Sequence, residues 1–255
     1  MRKEEFYAEA IPDSIGPLEG LRVLEATHNG AGPWVGTLLC DLGAESIKID
    51  PPDGEVLRRV GLMQINGSDQ ELSGMYLSIN RNKKNITLNL RTHKGQELFR
   101  ELAREADVIV ENYTPGRMKS WGLSYPDIRQ VKPDIIYTSV SGFGQYGPYH
   151  ERPGYDVVGQ AMGGIMHITG LPDGPPTRTG NAMIDNITGW LGAHSTLAAL
   201  YYRQRTGKGQ HVDIGQMDVG LYTSEMGILG ASNADFHWKR MGNGHPGDGV
   251  CNSYL

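Results

Sequence analysis

The chain has 255 residues, of which 38% are hydrophobic and 21% are charged, and its formal net charge is −5. A chain of this length and composition buries roughly three quarters of its unfolded surface, which excludes the class of disordered proteins. No stretch reaches the about 18 uninterrupted apolar residues of a membrane span, the opening residues lack the apolar segment of a signal peptide, and no concentrated basic stripe offers a nucleic-acid footprint. We therefore expect a cytoplasmic protein that binds neither membrane nor nucleic acid.

The alternation of strand-length apolar runs with helix-period segments predicts an α/β fold, a Rossmann-like and largely parallel sheet flanked by helices. The predicted strands, in chain order, are 21–24, 46–49, 86–90, 107–110, 135–140 and 210–214. The predicted helices are 32–42, 92–105, 124–131, 155–166 and 185–206. Turn residues agree with these bounds: Gly43 follows the first helix, and Thr92 is a good N-cap for the second.

The domain organisation predicted from these patterns has three parts. Residues 1–16 form an N-terminal extension, 17–225 form the Rossmann-like large domain, and 226–255 form a linker and the start of a smaller domain. The last residues combine turn chemistry with an incoming strand, so we expect the second domain to lie beyond residue 255. The two cysteines, Cys40 and Cys251, are far apart and lack metal-ligand spacing, so we expect neither a disulfide framework nor a metal.

A glycine-rich turn, residues 27–33, follows the first predicted strand and opens the first helix. The backbone N–H groups and dipole of a helix N-terminus favour phosphate or carboxylate. Gly30, Gly32 and Gly36 form G-x-G-x-x-x-G, one residue longer than the dinucleotide-binding pattern. The spacing alone therefore leaves both a nucleotide site and an ordinary βα turn open.

Two further loops follow buried-looking strands, at the edge where open α/β sheets bind ligands. In residues 110–117, Asn112 can bond a ligand, Tyr113 can stack on a ring and Arg117 can meet a phosphate; a solvated Pro-Gly turn is the alternative. In residues 139–149, Ser141 has no G-x-S-x-G setting, which disfavours hydrolase chemistry.

Asp185 stands at the start of the longest predicted helix, whose next turns are mostly apolar and small. A carboxylate near a helix N-terminus is expected to have a lowered pKa and to stay ionised. The spacing alone leaves two roles open for Asp185, a helix cap and a reactive carboxylate.

Eight segments in the same order resemble the family III CoA-transferases, the CaiB/BaiF type that includes formyl-CoA, carnitine and benzylsuccinate CoA-transferases. The segments are PLEGLRVL (17–24), THNGAGP (27–33), LGAESIKIDPP (42–52), NRNKK (80–84), DVIVENY (107–113), SVSGFGQYGPY (139–149), GYD (154–156) and GKGQ (207–210). The resemblance covers residues 17 to about 255 and implies an exchange of coenzyme A between a donor acyl-CoA and an acceptor carboxylic acid. It places the covalent intermediate on Asp185. It implies that the residues contacting CoA are His28, Asn29, Ala31, Asn112, Tyr113 and Arg117.

The resemblance also implies a mechanism and an assembly. The aspartate attacks the donor thioester to give a mixed anhydride, and the released thiolate converts that anhydride into an aspartyl-CoA thioester. Family members form interlocked dimers, so we expect a homodimer or a heteromer with a related subunit. Formyl-CoA transferases have a glutamine where this chain has Gly30, which leaves room here for a larger acid.

Two alternatives stay open at this point. The α-methylacyl-CoA racemases share the fold but pair the aspartate with the histidine of a Gly-His-Asp motif. This chain has Gly154-Tyr155-Asp156, so His150 or His167 would have to supply the second acid/base group. The other alternative is a non-catalytic CoA-binding subunit of a heteromeric transferase, which the presence of Asp185 disfavours.

Overall fold

The computed structural model describes residues 2–7, 9, 14–64 and 71–244. The incoming strand predicted near the C-terminus, with Cys251, lies outside these residues. The strands are β1 Arg22–Ala26, β2 Glu45–Asp50, β3 Leu62–Gln64, β4 Glu71–Ser73, β5 Lys84–Thr87, β6 Val108–Glu111, β7 Ile136–Ser141 and β8 Gln210–Gly215. The helices are α1 Lys3–Phe6, α2 Ala31–Asp41, α3 Gly74–Ile79, α4 His93–Arg104, α5 Arg117–Ser120, α6 Tyr125–Arg129, α7 Asp156–Met162, α8 Ile165–Ile168, α9 Met183–Thr206, α10 Gln216–Tyr222 and α11 Glu225–Asn233.

Six of the described strands form one sheet in the order β5-β2-β1-β6-β7-β8, and every neighbouring pair is parallel. The predicted α/β class is confirmed. The chain moves outward from β1 through β2 to β5 and then returns to β6 on the other side of β1. Ligands of such sheets bind where the strand order reverses, so the loops after β1 and β6 are the expected position of a site. The described short strands β3 and β4 form a separate antiparallel pair that the sequence patterns did not predict.

Alternating side chains of the sheet form two cores on its opposite faces. Leu24 and Ile109 belong to one core, and their neighbours Val23 and Val110 belong to the other. The first core includes Phe99 of α4, which is fully buried. The second core contains side chains from α2 and α9. The sheet is therefore covered on both faces, and α2 and α9 lie on the same side.

Two glycines allow α9 to lie directly against α2. A Cβ at Gly189 would stand 2.3 Å from the Cβ of Trp34, and a Cβ at Gly192 would stand 2.7 Å from the Cγ2 of Val35. Both distances are below any real Cβ contact, so only glycine permits this separation of the helices. The close packing brings the N-terminal turns of both helices to the same edge of the sheet.

One predicted helix is divided in the structure. The segment predicted as 155–166 forms α7 and α8, separated by Gly163 and Gly164. A Cβ at Gly163 would lie 2.4 Å from the Cα of Gly220 in α10, and Gly164 has a φ of 87°. A tertiary contact and a left-handed residue therefore break the helix, which periodicity does not reveal. In the described part of the chain, no helix is long and apolar enough to cross a membrane.

Candidate active site

The loops after β1, β6 and β7 meet the N-terminal turns of α9 and α10 around an inner cavity of about 110 Å³. Residues that line this inner cavity include His28, Asn29, Gly30, Ala31, Asn112, Tyr113, Thr114, Ser141, Arg152, Tyr155, Asp185 and Gln216. The structure thus places Asp185 together with five of the six predicted CoA-contact residues. The sixth, Arg117, does not line the inner cavity.

The carboxylate of Asp185 is not a helix cap. Asp185 is the third residue of α9, whose N-cap, Ala182, forms no side-chain capping bond. The cap comes instead from Asp156, whose Oδ1 accepts hydrogen bonds from the N–H groups of Ile184 at 2.7 Å and Asp185 at 3.2 Å. Since Asp156 satisfies these N–H groups, the Asp185 side chain is available for another role.

The two carboxylate oxygens of Asp185 have different surroundings. Oδ1 accepts a hydrogen bond of 2.5 Å from Nε2 of Gln216. Oδ2 lies against the main chain of Gly30, where an added Cβ would be only 2.3 Å away. One oxygen is therefore held by an amide, and the other lies beside the glycine-rich turn that lines the cavity.

Burial raises the pKa of Asp185 to about 7, and the negative charge of Asp156 adds to the increase, while the Gln216 hydrogen bond opposes it. The prediction of a lowered pKa from the helix N-terminus is therefore wrong. Desolvation of the carboxylate outweighs the favourable helix end. An aspartate with this pKa is partly protonated at neutral pH and is less stabilised as an anion than an exposed one.

The turn opposite Asp185 is fixed by side chains from two other loops. Asn112 accepts from the N–H of His28 at 2.8 Å and donates to its carbonyl at 2.7 Å. The N–H of Asn29, which has a φ of 57°, donates to Glu55 at 2.8 Å. Glu55 is itself buried beside Lys48, 3.3 Å away. Both polar groups of the Asn112 side chain are thus used to shape the turn.

Helix α2 begins at Ala31, so the N–H groups of its first residues have no intrahelical acceptor. Those of Ala31 and Gly32 lie in the turn that Asp185 faces. Such groups bind anions or developing negative charge without reorganising. Anion binding by this turn stays a prediction, and the position of the helix start beside the cavity agrees with it.

His28 lines the inner cavity, but the racemase alternative requires His150 or His167 there. Burial and the nearby Lys48 charge lower the pKa of His28 to about 4, so its imidazole is neutral at pH 7. His150 bonds the carbonyl of Gly147 through Nδ1 at 2.8 Å, and His167 lines a different cavity next to α11. Neither His150 nor His167 lines the cavity that contains Asp185.

An outer groove of about 670 Å³ adjoins the inner cavity and shares His28, Tyr113 and Thr114 with it. Its other lining residues include Ile49, Pro51, Glu55, Leu88, Asn89, Arg91, Arg117 and Trp121. The ring centres of Tyr113 and Trp121 are 5.1 Å apart, and the Arg117 guanidinium lies 5.9 Å from the Trp121 ring centre. Arg117 is therefore part of this outer groove, together with a second cation, Arg91.

Sequence reasoning did not select the two residues whose side chains form hydrogen bonds with Asp185. Asp156 is part of the Gly154-Tyr155-Asp156 segment of the resemblance, which assigns it no role, and its bonds to α9 depend on a fold that brings residues 28 positions apart together. Gln216 is not among the predicted site residues, although it directly follows β8. The rule that polar residues at the carboxyl ends of parallel strands line ligand sites would have selected Gln216.

Comparison with known proteins decides the family, since the model of CoA-transferase family III matches residues 18–254. The chain belongs to CoA-transferase family III. The resemblance described above is confirmed.

Among family III relatives, the chain is 42% identical over 239 residues to a succinyl-CoA:glutarate CoA-transferase of Mus musculus, covering 91% of this chain and 53% of that protein. It is 42% identical over 234 residues to an acetyl-CoA:oxalate CoA-transferase of Acetobacter aceti, covering 91% of this chain and 59% of that protein. A crystal structure of a CaiB/BaiF family protein from Brucella suis matches with a TM-score of 0.86 and 41% identity, covering 92% of this chain and 62% of that one. The chain thus spans little more than half the length of these two transferases.

Proposed function

We propose that the whole protein is a CoA-transferase, moving CoA from a donor acyl-CoA to an acceptor carboxylic acid with Asp185 as the covalent acyl carrier. The observation that carries the proposal is the position of Asp185: its carboxylate does no capping, is mostly buried, and has one oxygen against the glycine-rich turn of the inner cavity. Membership of family III supports the reaction class.

In the proposed reaction, Oδ2 of Asp185 attacks the carbonyl carbon of the donor thioester and the C–S bond breaks, releasing CoA thiolate and leaving a mixed anhydride. The thiolate then attacks Cγ of Asp185, and the donor acid leaves with the former Oδ2. This forms an aspartyl-CoA thioester, which the acceptor carboxylate attacks to run the same steps in reverse. The buried site suits this chemistry, because water would hydrolyse the anhydride.

The proposed CoA site extends from the outer groove to the inner cavity. Arg91 and Arg117 supply cations for the phosphates, and Tyr113 with Trp121 offers aromatic faces for the adenine. The pantetheine arm then passes His28 and Tyr113, which line both spaces. The turn of His28, Asn29 and Ala31, shaped by Asn112, meets the thioester.

We propose a dicarboxylic acid as one of the two acids. Arg152 lines the inner cavity close to Tyr149, with its guanidinium 4.1 Å from that ring centre, and offers a cation for a second carboxylate. The relatives named above act on glutarate and oxalate by their names. Relatives named for different acids have equal identity to this chain, so overall similarity does not identify its acid. We infer that the residues lining the cavity determine which acid binds.

The proposal includes a cytoplasmic assembly, an interlocked homodimer or a heteromer with a related subunit, together with the further domain that the sequence predicts. Exposed aromatic side chains support a covering partner: Tyr155, which lines the inner cavity, is 60% exposed, and Trp190 of α9 is 55% exposed. The boundaries predicted at residues 16 and 225 stay predictions.

The test of the function is a covalent adduct. The full-length protein is incubated with donor acyl-CoA and no acceptor, and intact mass and peptide mapping are expected to locate CoA on Asp185, removable by hydroxylamine. Asp185→Asn is expected to lose the adduct, whereas Asp173→Asn, an exposed loop position, is expected to keep it. An adduct on another residue, or rapid uptake of solvent deuterium at the α-carbon without CoA exchange, would contradict the proposal.

The raised pKa of Asp185 predicts a pH dependence. Only the carboxylate attacks, so kcat/KM for the donor acyl-CoA is expected to fall about tenfold per pH unit below 7 and to level off above it. Asp156→Asn keeps an acceptor for the α9 N–H groups but removes a negative charge, and is expected to move this limb to lower pH. Steady-state rates from pH 5 to 9 measure both effects; a limb that does not move in Asp156→Asn would argue against the assigned cause.

A further inference from the structure

Gln216 is the first residue of α10 and is only 5% exposed, yet its amide directly contacts the proposed nucleophile. Its Nε2 donates to Oδ1 of Asp185 at 2.5 Å. The side chain has little freedom to move: a Cβ at Gly154 would be 3.0 Å from Gln216 Oε1, and a Cβ at Gly159 would be 3.4 Å from Gln216 Cβ. The donor is therefore held at one carboxylate oxygen by the surrounding main chain.

The geometry also separates the roles of the two oxygens. Since Oδ1 is bonded to Gln216 and Oδ2 lies at the glycine-rich turn, Oδ2 is the oxygen placed to attack a thioester in the cavity. After that attack, Oδ2 becomes the bridging oxygen of the anhydride, and Oδ1 becomes the carbonyl oxygen of the aspartyl group. The amide of Gln216 then points at a carbonyl oxygen whose carbon is about to be attacked.

We propose that Gln216 is a further catalytic residue, which donates its amide N–H to Oδ1 and stabilises the oxyanion formed there when Cγ of Asp185 is attacked. The inference rests on the proposed function and deepens it. When the CoA thiolate adds to Cγ, the C=O π electrons move to Oδ1. When the tetrahedral intermediate collapses, the Cγ–Oδ2 bond breaks and the donor acid leaves as its carboxylate. The acceptor carboxylate adds to the aspartyl thioester through the same oxyanion, and there the C–S bond breaks.

The contribution is specific to the steps at Cγ. In the resting carboxylate the negative charge is shared between two oxygens, whereas in the tetrahedral intermediate Oδ1 carries a full charge. A fixed donor in a buried site stabilises the second state more than the first, which is the condition for catalysis. Attack on the donor thioester places its oxyanion on the substrate oxygen instead, away from Oδ1. Loss of the amide should therefore slow the conversion of the anhydride more than its formation.

The test uses the full-length protein and the variant Gln216→Met, which keeps the length of the side chain but has no N–H donor. With donor acyl-CoA alone, a rapid quench and intact-mass measurement are expected to find the CoA adduct on the wild-type protein and the acyl adduct on the variant. Release of donor acid is expected to fall about 10²–10³-fold, the usual effect of losing one oxyanion donor. KM for acyl-CoA is expected not to rise, because the slowed step follows the binding of the donor and the formation of the acyl adduct. Gln130→Met, at an exposed position, is the matched control.

The outcomes separate the two proposals. If the wild-type protein forms no adduct on Asp185, the proposed function itself fails. If the wild-type protein forms the CoA adduct and Gln216→Met forms it at the same rate, only the role of Gln216 is overturned. If Gln216→Met remains folded by thermal unfolding but forms neither adduct, Gln216 serves to position Asp185, and the oxyanion role is likewise overturned.

Discussion

Asp185→Asn is expected to lower CoA exchange by about 10⁴-fold or more while making the folded protein more stable at pH 8. The loss of activity follows from the removal of the proposed nucleophile, because an amide forms no anhydride with a thioester and we expect no other group of the site to replace it. Active sites commonly bury a charged group that the reaction needs, and such a group lowers the stability of the folded protein.

The gain in stability follows from the pKa of Asp185, which the fold raises from 3.8 to about 7. A raised carboxyl pKa means that the folded state holds its proton more tightly than the unfolded state. The contribution of this carboxyl group to the free energy of unfolding is fully present below pH 3.8 and is lost as the pH rises through about 7. At pH 8 the buried charge of Asp185 lowers the free energy of unfolding of the wild-type protein. Asparagine removes this charge but needs hydrogen bonds of its own, so the net gain of Asp185→Asn is expected to be about 1–3 kcal/mol.

Urea denaturation of the full-length protein at pH 4 and pH 8 measures this effect. Asp185→Asn is expected to exceed the wild-type free energy of unfolding at pH 8 and to approach it at pH 4. Asp173→Asn, an exposed substitution, controls for the loss of one negative charge. Equal unfolding free energies of wild type and Asp185→Asn at both pH values would show that burial does not penalise the Asp185 anion.

The second large effect is expected from Gly30→Ala, which should lower kcat/KM by about 10²-fold or more without unfolding the protein. The new Cβ would lie 2.3 Å from Oδ2 and 2.9 Å from Cγ of Asp185, far inside van der Waals contact. The carboxylate is the end of a side chain and can rotate away, so the fold survives. The proposed nucleophile is then displaced from its position, and a displacement of about 1 Å lowers the rate by a factor of this size.

The control for Gly30→Ala is Gly180→Ala, because a Cβ at Gly180 meets no atom within 4 Å. Gly180→Ala is expected to retain wild-type exchange and thermal stability. If Gly30→Ala instead retains full exchange, the Oδ2 position assigned to the nucleophile is incorrect. If Gly30→Ala unfolds the protein, rotation of the Asp185 side chain does not relieve its contact with the new Cβ.

The fold was predictable where local signals and burial agree. The helix predicted at 92–105 is α4, and the side chain of Thr92 caps it by accepting from the N–H of Gly95. The prediction was less accurate where the chain leaves the sheet. The strand predicted at 86–90 is β5, Lys84–Thr87, because Leu90 turns into the core and Asn89 begins the turn before α4. An apolar residue in a strand and one in the following turn look alike in sequence.

The position of the site was predictable, but its electrostatics were not. Asp185, His28 and Tyr113 follow strands or open helices, and the general rule for open sheets places them at one edge. The raised pKa of Asp185 depends on Asp156 and on the depth of burial, both of which come from tertiary packing. The bond from Gln216 likewise joins residues 31 positions apart.

The glycine contacts between α2 and α9 bear on how the site opens and closes. At Gly189 and Gly192 the main chain of α9 contacts side chains of α2 directly. The distance between Gly30 and Asp185, at the N-terminal ends of these helices, is therefore fixed by their packing. Solvent isotope exchange at the amides of these two helices should accordingly report a shared, cooperative opening. Differences between the acids for which relatives are named can then arise in the surrounding loops, while the Asp185 carboxylate keeps its distance from the turn.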